Sequence, residues 1–458
     1  MDRQQFALAR SLLAQALPPG AARGKVLGTV LLLLTVLASP LALAEELTDL
    51  VRARMYVMLR DTRQEIETSY YDPAFKGVDL ATGAETAKAR IAKAGTLGEA
   101  LGAIAQFVLD LDDSHTMFLP PAQTVDVDYG WEMAIVDDAC YVTHVSAGSD
   151  AAHQGVAPGD RITTVNGFRP SRETLWRIRY IFQQLRPQPG LHVELVTPAG
   201  AARELDVAAR VTRRKAVVDL TGGNDKDSAR GRESYYKAQD LAIPLSLDLG
   251  PDVFLMRYRI FSYDSEPLLR AIHKARDHGV LILDLRGNRG GLQKTLEALI
   301  GALSSADTSY VSSQDRLGEH ANVAKGSGKG AFGGRLLVLV DAQSASASEL
   351  LARVVQLTHR GTVIGDRTAG AVMLSQRKGL LVGGGENVIA YGVSVTVADL
   401  VMADGGHLEK VGVEPDIKLV PSPEDMAAGR DPVLAQALAM AGHTMDAVAA
   451  GKLLQETR

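Results

Sequence analysis

Leu336 to Leu350, read as LLVLVDAQSASASEL, is the stretch whose residue types and spacing most directly allow chemistry. A run of branched apolar residues stops at Asp341, three serines alternate with alanines, and a helix-like pattern follows. This reads as a buried strand, a tight turn and the start of a helix. Such a junction can expose a nucleophile, and its free backbone N–H groups can hold an anion. A serine here is therefore a candidate nucleophile; a serine-rich helix cap is the alternative. A second phrase, Asp284 to Gly291 (DLRGNRGG), also follows a buried apolar run. Glycines after a strand let backbone approach a ligand closely, and their N–H groups can face an oxyanion. The phrase alone fits a phosphate-gripping loop or an ordinary turn equally. It lacks the lysine and hydroxyl residue of a Walker A motif, which argues against nucleotide binding. His115 stands in a polar turn, Asp112 to Thr116 (DDSHT), between two apolar stretches. By itself it reads as a surface or hydrogen-bonding residue.

The elements that must position these residues change character along the chain. Residues 45 to 111 read as helices: Leu47, Leu50, Val51 and Met55 share one face, as do Leu101, Ile104, Phe107 and Val108. Tyr70 to Pro73 interrupts them, because proline disfavours helix in the residue before it. Residues 127 to 212 read as short strands and turns, and residues 213 to 249 as a polar linker. From Val253 strand and helix patterns alternate, the signature of a mainly parallel sheet covered by helices. Val393, Val395 and Val397 predict a half-buried strand, and Pro432 to Leu453 an alanine-rich helical segment. The fold class is therefore α/β and multi-domain. The division is a leader or anchor over 1–44, a helical region over 45–126, a β-rich domain over 127–212, a linker over 213–249, a βα core over 250–424 and a helical tail over 425–458.

The chain has 458 residues, enough for about two to four domains. A net charge of -5 and the lack of a basic run exclude nucleic acid as an expected partner. The single cysteine, Cys140, rules out an intramolecular disulfide and a cysteine-based metal site, and reads as a small core residue. No metal or other cofactor is expected. Arg23 and Lys25 precede an apolar run from Val26 to Leu37, and Ala42-Leu43-Ala44 follows. That pattern fits a secretory leader cleaved after Ala44. Residues 26–44 are almost free of polar side chains, so an uncleaved membrane anchor is the alternative. Either way the body of the chain is expected in a periplasm or outside the cell.

Two resemblances join these pieces. Gly148 to Gly167, with its GVAPGDRI and VNG phrases, resembles a PDZ domain. The resemblance implies peptide binding by strand addition, with Tyr129, Gly130 and Trp131 near the loop that captures a terminal carboxylate. DLRGNRGG and SASASE, separated by one βα unit, together resemble the core of the C-terminal-processing (tail-specific) serine peptidases, many of which carry a PDZ domain. This implies a crotonase/ClpP-like βα core and a protein or peptide substrate. It assigns the nucleophile to the middle serine, Ser346. In the familiar branch a lysine one strand later is the base, but the matching position here is Ala371, and Lys378 is out of register. The chain is more similar to the branch of tricorn-type core peptidases and retinoid-binding-protein relatives, which uses serine, histidine and glutamate. Its histidine phrase matches DDSHT and implies His115 as base. Its glutamate phrase matches Glu409 to Asp416 (EKVGVEPD) and implies Glu409 as the residue that orients the histidine.

The chemistry is coherent. A serine hydroxyl needs an adjacent base, a histidine can take its proton and return it, and a carboxylate can fix the histidine's tautomer. The N–H of Ala347, with one from Gly290 or Gly291, would receive the developing oxyanion. Ser344 and Ser348 read as turn and cap residues, Glu349 as a first-turn helix charge and Arg286 as an ion-pair partner in the core. His407 is the alternative base. Two rival functions remain: an inactive relative that binds a peptide or apolar ligand, and a crotonase-like acyl-CoA enzyme, against which the serine motif and the PDZ phrase argue. A homo-oligomer and membrane association through residues 26–44 are both left open.

Overall fold

Apolar runs in the second half of the chain are buried on both faces, as strands of a helix-covered parallel sheet must be. The computed structural model describes residues 47–122, 125–213, 241–385 and 388–454. The expected leader or anchor lies outside them, as does most of the stretch read as a linker. Among the described residues no helix is long and apolar enough to cross a membrane.

Helices α1 (Asp49–Ser69), α2 (Leu80–Lys93) and α3 (Leu97–Leu109) come first, then strands β1 (Met117–Leu119) and β2 (Val125–Asp128). Thr48, Asp79 and Thr96 cap the three helices by accepting from first-turn N–H groups that have no partner inside the helix. The apolar faces of these helices pack on each other and on Val393 and Val395, near the other end of the chain.

The next unit contains β3 (Trp131–Val136), β4 (Ala139–Val145), β5 (Arg161–Val165), α4 (Leu175–Tyr180), β6 (Gly190–Val196), β7 (Ala202–Ala208) and β8 (Arg210–Arg213). A π-helical turn, Ile181–Leu185, extends α4. Strands β3 to β7 form an antiparallel sheet in sequential order, so β3 is an edge. Ile135, Val142, Ile162 and Val193 pack with Ile178 and Phe182 as a separate core. The arrangement is PDZ-like. It is fastened to the rest by Arg172, whose guanidinium meets Asp366 at 2.8 Å and the Arg367 carbonyl at 2.9 Å, and by Lys418, 2.6 Å from Asp137.

The remaining elements are β9 (Leu245–Asp248), β10 (Val253–Arg257), α5 (Glu266–Ala275), β11 (Val280–Asp284), α6 (Gln293–Leu303), β12 (Thr308–Asp315), β13 (Gly318–Ala324), β14 (Arg335–Val340), α7 (Ala347–Leu357), β15 (Gly361–Gly365), β16 (Leu374–Val382), β17 (Ile389–Met402), β18 (Ile417–Lys418), α8 (Pro432–Met440) and α9 (Ala447–Leu453). The central sheet has the order β18-β15-β14-β11-β10-β9 and is parallel except at β9. Side chains alternate across it. Phe254, Met256, Leu281 and Leu283 pack on one face with Leu268, Leu296 and Leu351 of α5, α6 and α7. Val253, Leu255 and Ile282 pack on the other with Val433 and Leu434 of α8.

Three elements differ from the sequence reading. β9 lies in the stretch read as linker, yet it is the antiparallel edge of this sheet. The helical tail is two helices, with Gly442 at φ +82° between them. β17, expected to be half-buried, runs 14 residues, and Ser394 and Thr396 are buried along with Val393 and Val395. The loop after α3 explains this: it covers the polar side of β17, where Thr396 donates to Asp113 at 2.8 Å.

Arg286 is the core ion-pair partner expected. It donates to Asp284 through Nε and Nη2, both at 2.9 Å, and to Asp431 at 2.8 and 2.7 Å. Burial raises the Asp284 carboxyl, but Arg286 and Arg257 outweigh it and hold it below the ordinary range. Asp431 also caps α8, so one guanidinium joins the sheet to the helix behind it. Arg286→Ala leaves buried Asp284 with only the more distant Arg257, at 3.9 Å, and is expected to cost about 3–5 kcal/mol, read as a lower denaturant midpoint. An unchanged midpoint would mean that water or relaxation satisfies Asp284 without it.

Candidate active site

Val340 ends the buried strand and Ala347 begins α7; the six residues between them are held at both ends. Asp341 Oδ1 accepts the N–H groups of Gly287, Gln343 and Ser344 at 2.9 to 3.0 Å. Ser344 donates its hydroxyl to the Leu285 carbonyl, and Ser348 donates to the Asn288 carbonyl, so both are turn and cap residues as expected. Ser346 is left with φ +56° and ψ -118°. That conformation is costly for a residue with a Cβ, by about 1–3 kcal/mol, and persists only where its surroundings impose it. The half-buried Ser346 donates its N–H to the Ala371 carbonyl at 2.9 Å and to Glu349 at 3.0 Å.

The glycine loop lies directly against this turn. A Cβ on Gly290 would stand 2.6 Å from Ser346 Cβ and 2.9 Å from the Ala347 nitrogen. Only glycine permits that approach, at φ +88°. Buried Asn288 joins the two loops, since its carbonyl accepts from Ala345 and its Nδ2 donates to the Tyr258 carbonyl. Asn288 Oδ1 also takes the Gly290 N–H at 2.8 Å. Of the two candidate oxyanion glycines, Gly290 therefore has its N–H engaged. Among the described residues the N–H of Gly291 donates to no acceptor in the chain, and that of Ala347, at the first position of α7, has none within its helix.

His115 and Glu409 come from opposite ends of the described chain and meet through Ser114. The His115 loop is shaped by buried Asp113, which accepts from Tyr70 hydroxyl at 2.9 Å and from the N–H groups of His115 and Thr116 at 2.9 and 2.6 Å. Glu409 grips Ser114 twice: Oε1 takes its N–H at 2.8 Å and Oε2 its hydroxyl at 2.7 Å. Ser114 Oγ is also 2.7 Å from His115 Nδ1. A hydroxyl has one proton, and here the carboxylate takes it. Oγ must then accept from Nδ1–H, which leaves Nε2 unprotonated and able to act as a base. Desolvation lowers the His115 pKa to about 4, against the pull of Asp113, so the ring is neutral near pH 7. Desolvation raises the Glu409 carboxyl, while Ser114 and the Val372 N–H hold it down.

The structure brings some of the candidate residues together and keeps others apart. Glu409 touches Ser114 rather than the histidine ring. Among the described residues His115 makes no hydrogen bond to Ser346. His407 is exposed and paired with Asp399 at 3.2 Å. Glu349 is in the first turn of α7, as expected of a first-turn helix charge, and is fully buried. Ser114 carries no sequence signal beyond a hydroxyl adjacent to the histidine. Lys378 sits in β16 opposite Val393, and Ala371, at the place of the family lysine, instead supports the Ser346 backbone. In the PDZ-like unit Tyr129 is buried, with its hydroxyl donating to the Phe182 carbonyl at 2.9 Å. Gly130, at φ +72°, has its N–H taken by Asp128 at 2.9 Å. Trp131 begins edge strand β3, and the Met133 carbonyl on that strand accepts from Arg179. Cys140 is buried and its thiol is pushed up to about 12 by desolvation, as suits a small core residue. Among the described residues no cluster of His, Cys, Asp and Glu could hold a metal ion.

The chain is similar to known peptidases in sequence and in fold. The model of peptidase family S41 matches residues 254–419. Carboxyl-terminal-processing peptidase 2 of Arabidopsis thaliana chloroplasts is 26% identical over 383 residues, covering 79% of this chain and 68% of that protein. A carboxyl-terminal-processing protease of Synechocystis sp. is 32% identical over 171 residues, 36% of this chain and 38% of the relative. CtpB of Bacillus subtilis, a carboxy-terminal processing protease, is 23% identical, covering 72% of this chain and 64% of CtpB. The fold is shared with mature CPAF, with a TM-score of 0.61 at 14% identity over 83% of this chain and 95% of that one. Residues 254–419 thus place the chain with the serine-type peptidases of family S41, and over a longer stretch it is similar to C-terminal-processing enzymes.

Proposed function

We propose that this chain is an exported endopeptidase that hydrolyses peptide bonds through Ser346, His115 and Glu409, with Ser114 as the link between the last two. Ser346 Oγ attacks the carbonyl carbon while His115 Nε2 takes the hydroxyl proton. The tetrahedral oxyanion is received by the N–H groups of Ala347 and Gly291. His115 then gives its proton to the leaving amine, the C–N bond breaks and an acyl-enzyme remains. Water, deprotonated by the same nitrogen, releases the acid and restores the serine. The observation that carries this reading is the Glu409–Ser114–His115 chain, because it leaves Nε2 as the acceptor.

The PDZ-like unit supplies recognition in this proposal. An extended peptide tail adds along β3 with its terminal carboxylate towards Tyr129–Trp131, displacing Arg179 from the Met133 carbonyl. The names of the relatives support a C-terminal tail as the substrate class. The division into a helical region to 126, a PDZ-like domain over 127–212, a peptidase core and a tail from 425 belongs to the same proposal. Its core begins at Leu245 rather than 250, because β9 pairs with β10.

One observation favours the rival of an inactive peptide- or ligand-binding relative: His115 does not hydrogen-bond Ser346. Catalytic hydrogen bonds often tighten only when substrate binds, and the two readings separate in one experiment. A fluorophosphonate probe is expected to label the wild-type chain on Ser346 and to leave Ser346→Ala unlabelled. Label on the alanine variant removes the assignment, and an unlabelled wild type favours the inactive relative.

A further inference from the structure

Glu349 takes no part in the steps above, yet it is the most completely engaged carboxylate of the site. Oε1 accepts from the Thr368 hydroxyl at 2.6 Å and the Gly370 N–H at 2.7 Å. Oε2 accepts from the N–H groups of Ser346 at 3.0 Å and Ala371 at 2.9 Å. The next N–H along, that of Val372, goes to Glu409 at 2.9 Å. Three consecutive backbone donors are thus divided between two carboxylates, one on the nucleophile's helix and one on the histidine's side. Between them the Ala371 carbonyl holds the Ser346 N–H. Residues 368–372 are the spacer between nucleophile and base.

We propose that Glu349, in its ionised form, is a positioning residue that locks this spacer and so sets Ser346 against the Glu409–Ser114–His115 chain. The proposal rests on the serine-peptidase reading of the same site. An ionised carboxylate only accepts hydrogen bonds, and all of its usual acceptor directions are filled here. A proton on either oxygen would face a donor, so the set cannot survive protonation whole. Desolvation pushes the Glu349 carboxyl up to about 7, although its four hydrogen bonds pull it down. The titratable or charged groups on the elements around it are Asp341 before α7, Arg353 on α7, Asp366 and Arg367 at the start of the spacer, Glu409 and Lys410 in the following turn, and His115. Among the described residues none of them pairs with Glu349.

The rate of fluorophosphonate labelling of the full chain, followed from about pH 5 to pH 9, tests this. Wild type is expected to lose rate as pH falls through about 7, where Glu349 takes up its proton. A histidine limb belongs lower, near 4. Glu349→Gln places an NH2 group where one oxygen accepted two hydrogen bonds, and so mimics the protonated state. It is expected to label about tenfold more slowly above pH 8, with no limb near 7, and to meet the wild-type rate at low pH. Thr368→Val keeps the carboxyl and removes one donor to its charged form, so the limb should move to higher pH. It also serves if Glu349→Gln does not fold. A Glu349→Gln protein with the wild-type rate and limb overturns the proposal, as does a Thr368→Val limb that stays put or moves down. Absence of any Ser346 labelling in wild type is the distinct result that overturns the peptidase reading, and this one with it.

Discussion

Replacing His115 with alanine is expected to lower kcat for peptide hydrolysis by about 10⁶-fold, and the His115→Ala/Ser346→Ala double variant should be no slower than either single one. In the proposed mechanism nucleophile and base act as one unit. Without Nε2 the Ser346 hydroxyl keeps its proton, and removing the hydroxyl as well takes away nothing that was still working. What remains is the contribution of the oxyanion donors and substrate binding. Steady-state kinetics on one peptide substrate reads this. Residual activity within about tenfold of wild type would place the base elsewhere, and His407 was the alternative. That residue is exposed and paired with Asp399, so His407→Ala is expected to leave kcat unchanged. The lowered pKa of His115 has a consequence of definite sign. The neutral, base-competent ring persists down to about pH 4, so histidine protonation should not limit the rate at mildly acid pH.

Most of the central sheet was legible because its strands are short apolar runs bounded by turn residues, and each βα unit repeats the pattern. What was missed lacked such a signal. β9 looks like linker because its neighbours in sequence are polar, and only its pairing with β10 makes it core. The β12–β13 hairpin and β16 carry mixed polar sequences; they are ordered by pairing with each other or with β17, contacts distant in sequence. The proposed roles of Ser346, His115 and Glu409 come from phrases that resemble a family. Those of Ser114 and Glu349 do not, because they depend on loops from different regions of the chain meeting. A glutamate three residues after a helix cap is an ordinary first-turn charge by sequence. It becomes a buried hub only because residues 368–371 fold over it. The engagement of the Gly290 N–H by Asn288 is likewise invisible until both loops are in place.

Glu409→Gln is expected to be more damaging than Ser114→Ala, although glutamine is the closer mimic of what it replaces. In the native arrangement the carboxylate accepts the Ser114 hydroxyl proton, Oγ accepts from Nδ1–H, and Nε2 is free to take the proton from Ser346. A glutamine can still accept the Ser114 N–H with its oxygen. Its NH2 group then lies where Oε2 was, gives up the Val372 N–H that Oε2 accepted and donates to Oγ. The hydroxyl must turn its proton towards Nδ1, and the ring proton moves to Nε2, the tautomer that cannot act as base. A fixed wrong tautomer costs about 10⁴-fold in kcat in a serine-histidine-carboxylate site. Ser114→Ala removes the link without imposing the wrong tautomer, so the ring can still sample the productive one; its loss should be smaller, about 10²- to 10³-fold. Both variants should leave KM near wild type, because neither side chain is assigned a contact with substrate. If Glu409→Gln proves no worse than Ser114→Ala, proton direction is not what the carboxylate controls, and Glu409 acts only by holding the His115 loop in place.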